Sequence, residues 1–303
     1  MDKEKQLIFQ IDSPAVKEAF SKNNYVIEYA NDADLVEKDL CVLYFSSNEI
    51  YYPNTIQAFD YSIIQRDKYE WKRNKFPKAQ KHIFIRDIRK QWYLGGINAT
   101  LDNPMKLLDF LKNETAGYRV MTIGSSAGGY GALLFGSLLK CERIYAFNAQ
   151  LNLNITMQNS NVVTDPILFE KAHDLTWKDY FDLSNFINPT TENYYFQSCR
   201  SEMDLDQYQA ISIEAQKHLK IIRLQTSNHG FPFLRINLPN VLAFSPKELS
   251  QYVNKSFHPI SFSVRLIGFT PTITFVLKAL KDRYQKKRLE AILKKPINSK
   301  FAK

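Results

Sequence analysis

Residues 120–140 read VMTIGSSAGGYGALLFGSLLK. An apolar run ends at Ile123, small residues interrupt it, and a second apolar run resumes at helical length. The chain has ten glycines, and four of them fall between positions 124 and 131 around two adjacent serines. Gly124 and Gly128 flank Ser126 two residues away on either side, which completes the pattern G-x-S-x-G. That spacing predicts a sharp strand-to-helix turn that holds Ser126 in a strained backbone conformation and lifts its hydroxyl above a sheet. Bulky residues at the two flanking positions would collide across the turn. Ser125 lacks this frame, because Ile123 and Ala127 stand where the glycines would be needed, so Ser126 is the expected nucleophile. The following helix presents unpaired N–H groups and the positive end of its dipole, so the Ala127 amide is expected to support a developing oxyanion. A Gly-rich turn can also cradle phosphate, but a P-loop needs Lys-Ser or Lys-Thr. A dinucleotide fingerprint belongs at the first crossover, and this is the fifth predicted strand.

Other apolar, β-branched and aromatic runs lie at 6–11, 24–30, 40–47, 82–88, 143–149, 193–199 and 220–227. Each is read, with 118–124, as a strand buried on both faces. Helical patterns follow at 103–113, where Asn103 is the N-cap and Pro104 the first helical residue, and again at 128–140 and 205–219. Strand and helix in alternation predict an α/β fold, with a mainly parallel sheet of about eight strands and helices on both faces. The first two strands are too close for a crossover helix and are expected to pair antiparallel. Two long intervals, 48–81 and 150–192, are expected to be functional loops, the second a lid. The second oxyanion donor is expected in the loop after the third predicted strand, FSSN, at the Ser47 amide, with Asn48 next.

A serine on such a turn suits an α/β-hydrolase-like fold, in which the triad runs Ser, then Asp or Glu, then His. His173 falls in the lid, His218 near a helix end and His258 beside Pro259, whereas His229 follows the last predicted strand, where the base belongs. The segment RSEMDLDQYQA after the preceding strand offers Glu202, Asp204 and Asp206. Asp204 fits the acid position first and Asp206 second, the latter equally readable as a helix N-cap. His229 would take the Ser126 proton as the hydroxyl attacks an ester or thioester carbonyl, and the aspartate would fix the imidazole tautomer. Whether water or a sugar hydroxyl then attacks the acyl-serine separates hydrolase from transferase. Residues 1–245 are thus expected to form the catalytic domain, with the lid at about 150–192, and 246–303 a helical basic tail.

Hydrophobic residues make up 45% of the chain and charged residues 23%, the composition of a folded globular protein. The start MDKEKQLIFQ lacks the basic and then apolar pattern of a signal peptide. The apolar run at 260–280 is broken by Arg265, Pro271 and Lys278, which disfavours a membrane span. Three cysteines, with no CxxC pair, suit reduced thiols in a cytoplasmic protein and suggest no zinc or other metal site. The net charge of +9 is concentrated at one end: residues 278–303 hold ten Lys or Arg against Asp282 and Glu290. Across 275–297, Val276, Leu277, Leu280, Tyr284 and Ile292 fall on one helical face. Such a helix would lie on an anionic membrane surface, making the protein peripheral at the inner face, or dock against its own body. Nucleic-acid binding is not expected, because no recognition module accompanies the charge.

Four segments, LYFSSNEIYYPNT, IRDIRKQWYLGGIN, IGSSAGGYGALLFGSLL and NHGFPF, resemble α/β-hydrolase-like bacterial proteins of capsule and other surface polysaccharides, some of them O-acetyltransferases. The resemblance spans roughly residues 40–245. It implies acyl transfer from acetyl-CoA to a hydroxyl of a polysaccharide or its precursor, with Ser126 the acylated residue and His229 its base. On that reading Tyr51, Tyr52, Trp92, Tyr93 and Asn98 would contact sugar, and Arg86, Arg89 and Lys90 would meet CoA phosphates or an anionic polymer. A carbohydrate esterase or deacetylase would use the same triad. A non-catalytic polysaccharide-assembly protein would keep only the fold and the tail.

Overall fold

A computed structural model describes residues 8–31 and 37–293 of the chain, with side chains through residue 285. Helices α1 (Phe9–Asp12) and α2 (Pro14–Phe20) precede strands β1 (Tyr25–Tyr29) and β2 (Glu37–Phe45). Helix α3 (Ile56–Phe59) lies in the long connection to β3 (Ala79–Ile85). The chain continues as α4 (Pro104–Glu114), β4 (Arg119–Ser125), α5 (Ala127–Leu138) and β5 (Arg143–Phe147). Helices α6 (Leu153–Gln158) and α7 (Pro166–Ala172) fill the second long interval before β6 (Glu192–Ser198). After it come α8 (Glu202–Gln209), α9 (Ile213–His218) and β7 (Leu219–Leu224). The last elements are α10 (Leu238–Ala243), α11 (Pro246–Ser250), β8 (Ser256–Phe257), α12 (Pro259–Ile267) and α13 (Phe269–Leu293).

Among the described residues, eight strands form one sheet in the order β1-β3-β2-β4-β5-β6-β7-β8. Only β1 runs antiparallel, against β3. The order turns back at β2 and β3 and then runs on in sequence from β4, so the strand carrying the serine turn is central. With that turn, this topology is the α/β-hydrolase-like fold.

Successive side chains on a strand face opposite sides, and β2 shows the consequence. Cys41, Leu43 and Phe45 enter one core with Leu107 and Leu111 of α4 and with the buried residues of α5. Leu40, Val42 and Tyr44 enter the other, with Trp71, with Leu238, Val241 and Leu242 of α10, and with Phe262 of α12. Both faces are covered, which is why the strands read as unbroken apolar runs rather than as alternating ones.

Three expectations change. Residues 8–11 of the first predicted strand do not extend: Phe9–Asp12 is a helical turn closed by the Ile8 N–H donating to Asp12 Oδ2 at 2.9 Å. Phe9 packs edge-on against Tyr51 and Phe59, so the apolar run serves a small separate cluster rather than the sheet. Residues 1–7 lie outside the described residues. The antiparallel partner of β1 is therefore β3, and the eighth strand is the two-residue β8, paired with β7. The predicted helix at 205–219 is two helices, the second capped by Ser212, whose hydroxyl accepts from the Ala215 N–H. Finally, residues 246–267, grouped with the tail on sequence, complete the body. Leu249 and Phe262 are core residues and β8 extends the sheet.

Candidate active site

The serine turn is as tight as its glycines imply. Ser126 sits between β4 and α5 with φ 54° and ψ −123°, a region that side-chain-bearing residues avoid and that costs of order 1–3 kcal/mol. A Cβ on Gly124 would lie 1.9 Å from the Gly128 carbonyl oxygen, and one on Gly128 would lie 2.2 Å from the Phe45 carbonyl oxygen. No side chain fits at either place. The Ser126 N–H donates to the Phe147 carbonyl at 2.9 Å, so the neighbouring strand β5 holds the strained residue in position. Ser126 makes no side-chain capping bond to its own helix, which leaves the hydroxyl for other partners.

Those partners are at hand. Ser126 Oγ lies 2.8 Å from His229 Nε2, and His229 Nδ1 lies 2.8 Å from Asp204 Oδ1. Asp204 is fully buried in the first turn of α8, behind the N-cap Ser201. Asp206, two residues on, is exposed and makes no part of this chain of bonds, nor is it a cap. His229 rides on a loop, and two residues hold that loop. Asn148, at the end of β5, donates from Nδ2 to the Asn228 and Gly230 carbonyls, each at 3.2 Å. Ser198, at the end of β6, donates from Oγ to the Asn228 carbonyl at 2.6 Å. The imidazole is thus oriented from both sides, by its acid and by the backbone that carries it.

Gln150 also meets the serine, and nothing in the sequence pattern marked it. Its Nε2 donates to Ser126 Oγ at 3.0 Å, while Trp92 Nε1 donates to its Oε1 at 3.3 Å. The indole donor requires the amide oxygen on its own side and therefore turns the amide NH₂ toward the serine. Trp92 and Tyr93 both have positive φ, at 51° and 60°. Their turn is tied by the buried Asp87 carboxylate, which accepts from the Arg89, Gln91 and Tyr93 N–H groups. Burial pushes the Asp87 carboxyl above its ordinary range, against the pull of those three donors.

A cavity of about 670 Å³ opens over Ser126 and His229. Trp71, Phe231, Phe233 and Phe275 form its apolar wall, and Ser47, Lys68, Glu70 and Asn74 are among its polar lining. Ala127, next to the serine, is the first residue of α5. Ser47 lines the cavity too, but its amide is engaged: the N–H donates to Glu70 Oε2 at 2.7 Å and the hydroxyl to Glu70 Oε1 at 3.0 Å. Ser47 is therefore not the unoccupied donor expected from sequence, because Glu70 arrives from the 48–81 connection and occupies it. Burial raises the Glu70 carboxyl above its ordinary value, against the two Ser47 bonds. Asn48 begins a short helical turn capped by the Ser47 hydroxyl.

The residues expected to contact substrate lie elsewhere. Arg86 is buried, its guanidinium bonded to Asn24 Oδ1 at 3.0 Å and the Lys68 carbonyl at 3.1 Å, paired with Asp67 and stacked on Tyr69. Tyr93 is core, its hydroxyl donating to the Ser46 carbonyl at 2.7 Å. Trp92 reaches the site only through Gln150. Lys90 donates to the Tyr51 carbonyl and to Asn54, and burial lowers its pKa to about 8. Arg89 lies over the Phe20 ring. These cations face inward because the turn after β3 is packed against α2 and the 48–81 connection, a placement that strand position alone does not reveal. Tyr51 is buried, Asn98 ties its own turn, and Tyr52 is exposed away from the cavity lining. Among the described residues, no group of three or more His, Cys, Asp or Glu is arranged to hold a metal ion. Nor is any helix among them long and apolar enough to cross a membrane.

No protein-family model matches the chain, and no curated protein matches it. Solved structures with related architecture include the capsule O-acetyltransferase of Neisseria meningitidis serogroup A. It is 17% identical over 67% of this chain and 83% of that one, with a TM-score of 0.47. A variant of the same protein in complex with CoA aligns at 16% identity, over the same shares of the two chains, with a TM-score of 0.46. An esterase of Pyrobaculum calidifontis aligns at 10% identity over 82% of this chain and 95% of that one, with a TM-score of 0.45.

Proposed function

We propose that the protein is a serine-dependent acyltransferase that moves an acetyl group from acetyl-CoA to a hydroxyl of a bacterial capsular or surface polysaccharide. The observation that carries the chemistry is the unbroken chain Asp204–His229–Ser126, ending on a serine at φ 54°. His229 Nε2 accepts the Ser126 proton as Oγ attacks the thioester carbonyl, and the new C–O bond places negative charge on the carbonyl oxygen. The Ala127 N–H, at the start of α5, receives that charge. Collapse of the intermediate breaks the C–S bond, and the His229 imidazolium returns its proton to the departing thiolate. Asp204 holds the imidazole tautomer throughout. In the second half His229 takes a proton from the acceptor hydroxyl, which attacks the acyl-serine and restores Ser126.

Acetyl-CoA and a glycan acceptor rest on the four sequence segments that resemble polysaccharide-modifying proteins, not on the triad. The cavity lining is compatible with a sugar acceptor, since the half-buried rings of Phe231 and Phe275 can meet C–H surfaces and the Asn74 amide can meet hydroxyls. Water in place of the sugar gives an esterase or deacetylase with the same residues. Intact mass after exposure to acetyl-CoA tests the reading: a gain of one acetyl group, lost in Ser126→Ala, is the expected result. Acetate release from an acetylated glycan, with no adduct and no transfer from acetyl-CoA, would instead establish the esterase. The absence of both activities on all acyl donors, with the fold intact, would leave an assembly role for the fold.

A further inference from the structure

Helix α13 leaves the body partway along its length. Its base is fixed: Thr272 is buried, donates from Oγ1 to the Gly268 carbonyl at 2.7 Å and meets Ser263 of α12 at 2.9 Å. Phe275, one turn on, lines the catalytic cavity. From Leu277 to Gln285 every residue is exposed. At about 100° per residue, Phe269, Ile273, Val276, Leu277, Leu280 and Tyr284 share an arc of about 100°. Four of these are large and open to solvent: Phe269 at 67%, Leu277 at 60%, Leu280 at 58% and Tyr284 at 69%. Lys281 and Arg283 border the arc on its two sides, Lys278 lies on the opposite side of the helix, and Asp282 is the single acid in the exposed stretch.

We propose that this face is a docking surface for an anionic lipid bilayer, with the apolar arc at the level of the acyl chains and the flanking cations among the headgroups. An apolar stripe bordered by Lys and Arg is the form an interfacial helix takes. Charge selects the occupant. A second copy packed on this arc would bring Lys281 and Arg283 of each helix against their own kind, with Asp282 and Glu290 the only acids of α13 to offset its basic residues. A nucleic acid would use the cations and leave four large apolar side chains in water. An anionic bilayer satisfies both features, and the basic excess of residues 278–303, ten against two, adds long-range attraction of the same sign. Phe275, which lines the cavity, lies about 150° round α13 from the middle of this arc, so docking would hold the cavity about one helix diameter, roughly 10 Å, from the membrane surface. The surface stands apart from the chemistry proposed for Ser126, and its test does not use activity.

The full chain is sedimented with vesicles of phosphatidylcholine alone or of phosphatidylcholine mixed with phosphatidylglycerol. Two variants accompany it, Leu277→Ser/Leu280→Ser/Tyr284→Ser and Lys278→Gln/Lys281→Gln/Arg283→Gln, both at exposed positions and checked for an unchanged thermal melt. The expected result is binding to the mixed vesicles about tenfold or more above the neutral ones, reduced at least tenfold by either variant. Equal binding to both vesicle types, or none to either, would overturn the proposal. So would binding to mixed vesicles that survives the apolar substitutions and is abolished by salt, which is the behaviour of a polyanion patch. A concentration-dependent dimer, abolished by the apolar substitutions in a protein that ignores vesicles, would assign the face to self-association instead.

Discussion

At the scale of single residues, Glu70 bears most directly on rate. Its carboxylate accepts the Ser47 N–H and O–H at the wall of the cavity that holds Ser126. An anion there opposes the negative charge that develops on an attacked carbonyl and keeps a donor from it. Glu70→Gln preserves the shape, since an amide oxygen still accepts from the Ser47 N–H, but removes the charge. The expected outcome is faster turnover of an activated acetyl ester, by about tenfold, which corresponds to about 1.4 kcal/mol in the barrier. The gain should be present near neutrality and shrink as pH falls through the Glu70 pKa, where the wild-type side chain becomes neutral as well. Stability should follow the same sign. Burial raises the Glu70 carboxyl above its ordinary value, so the native state binds the proton more tightly than the unfolded chain. Wild type then loses stability as pH rises from the ordinary carboxylate range through the raised value, and the variant does not. Denaturant melts at several pH values measure that difference. A variant slower at every pH would mean that the ionised carboxylate itself serves the reaction.

At the scale of elements, the serine turn depends on the approach of β2, β4 and α5 at two glycines. Gly124→Ala sets a Cβ 1.9 Å from the Gly128 carbonyl oxygen, a backbone atom that moves only if α5 shifts. A loss of about 3 kcal/mol in urea unfolding is expected, together with loss of activity beyond what stability explains, because the helix that shifts carries the Ala127 N–H. A variant that folds and turns over like wild type would show that α5 has slack at its start. This turn was legible because one steric requirement fixes both its residues and their spacing. Seven strands were legible for a related reason: burial on both faces writes an apolar run that turn residues bound. The two-residue β8 writes no run at all, and the apolar stretch at residues 8–11 is too short to show whether its period is that of a strand or of a helical turn. Triad order narrows the acid to Asp204 or Asp206, which the sequence alone does not separate, and His229 is legible by its position after a strand. Gln150 and Glu70 are not, since each is a polar residue in a long connection and meets Ser126 or Ser47 only through the tertiary fold. The inward turn of Arg86 and Tyr93 is not legible in the sequence, because a strand end shows where a turn lies but not which way its side chains point.

At the scale of the whole molecule, the question is where the body stops. The sequence alone puts the break near residue 246, after the last predicted strand and the His229 segment, but packing puts it later. Leu249 and Phe262 lie in the core beneath β7, and β8 takes the hydrogen bonds of that strand's outer edge. Ser263 accepts nothing from solvent: it is buried between Asn237, which accepts its proton at 3.1 Å, and Thr272. The segment that holds α13 to the cavity wall is therefore part of the fold. A chain ending at Val276 removes the exposed stretch 277–285 and the residues after it, and is expected to melt within about 2 °C of the full protein, since surface changes away from core contacts are nearly neutral. A chain ending at residue 245 strips a buried Leu and a buried Phe and uncovers a strand edge. Each such side chain is worth about 2–5 kcal/mol, so their joint loss is comparable to the whole stability of an ordinary domain. That shorter chain is expected to lack a cooperative melt. If it instead unfolds as sharply and as late as the full protein, residues 246–267 are an appendage, and Phe275 lines the cavity without support from the body.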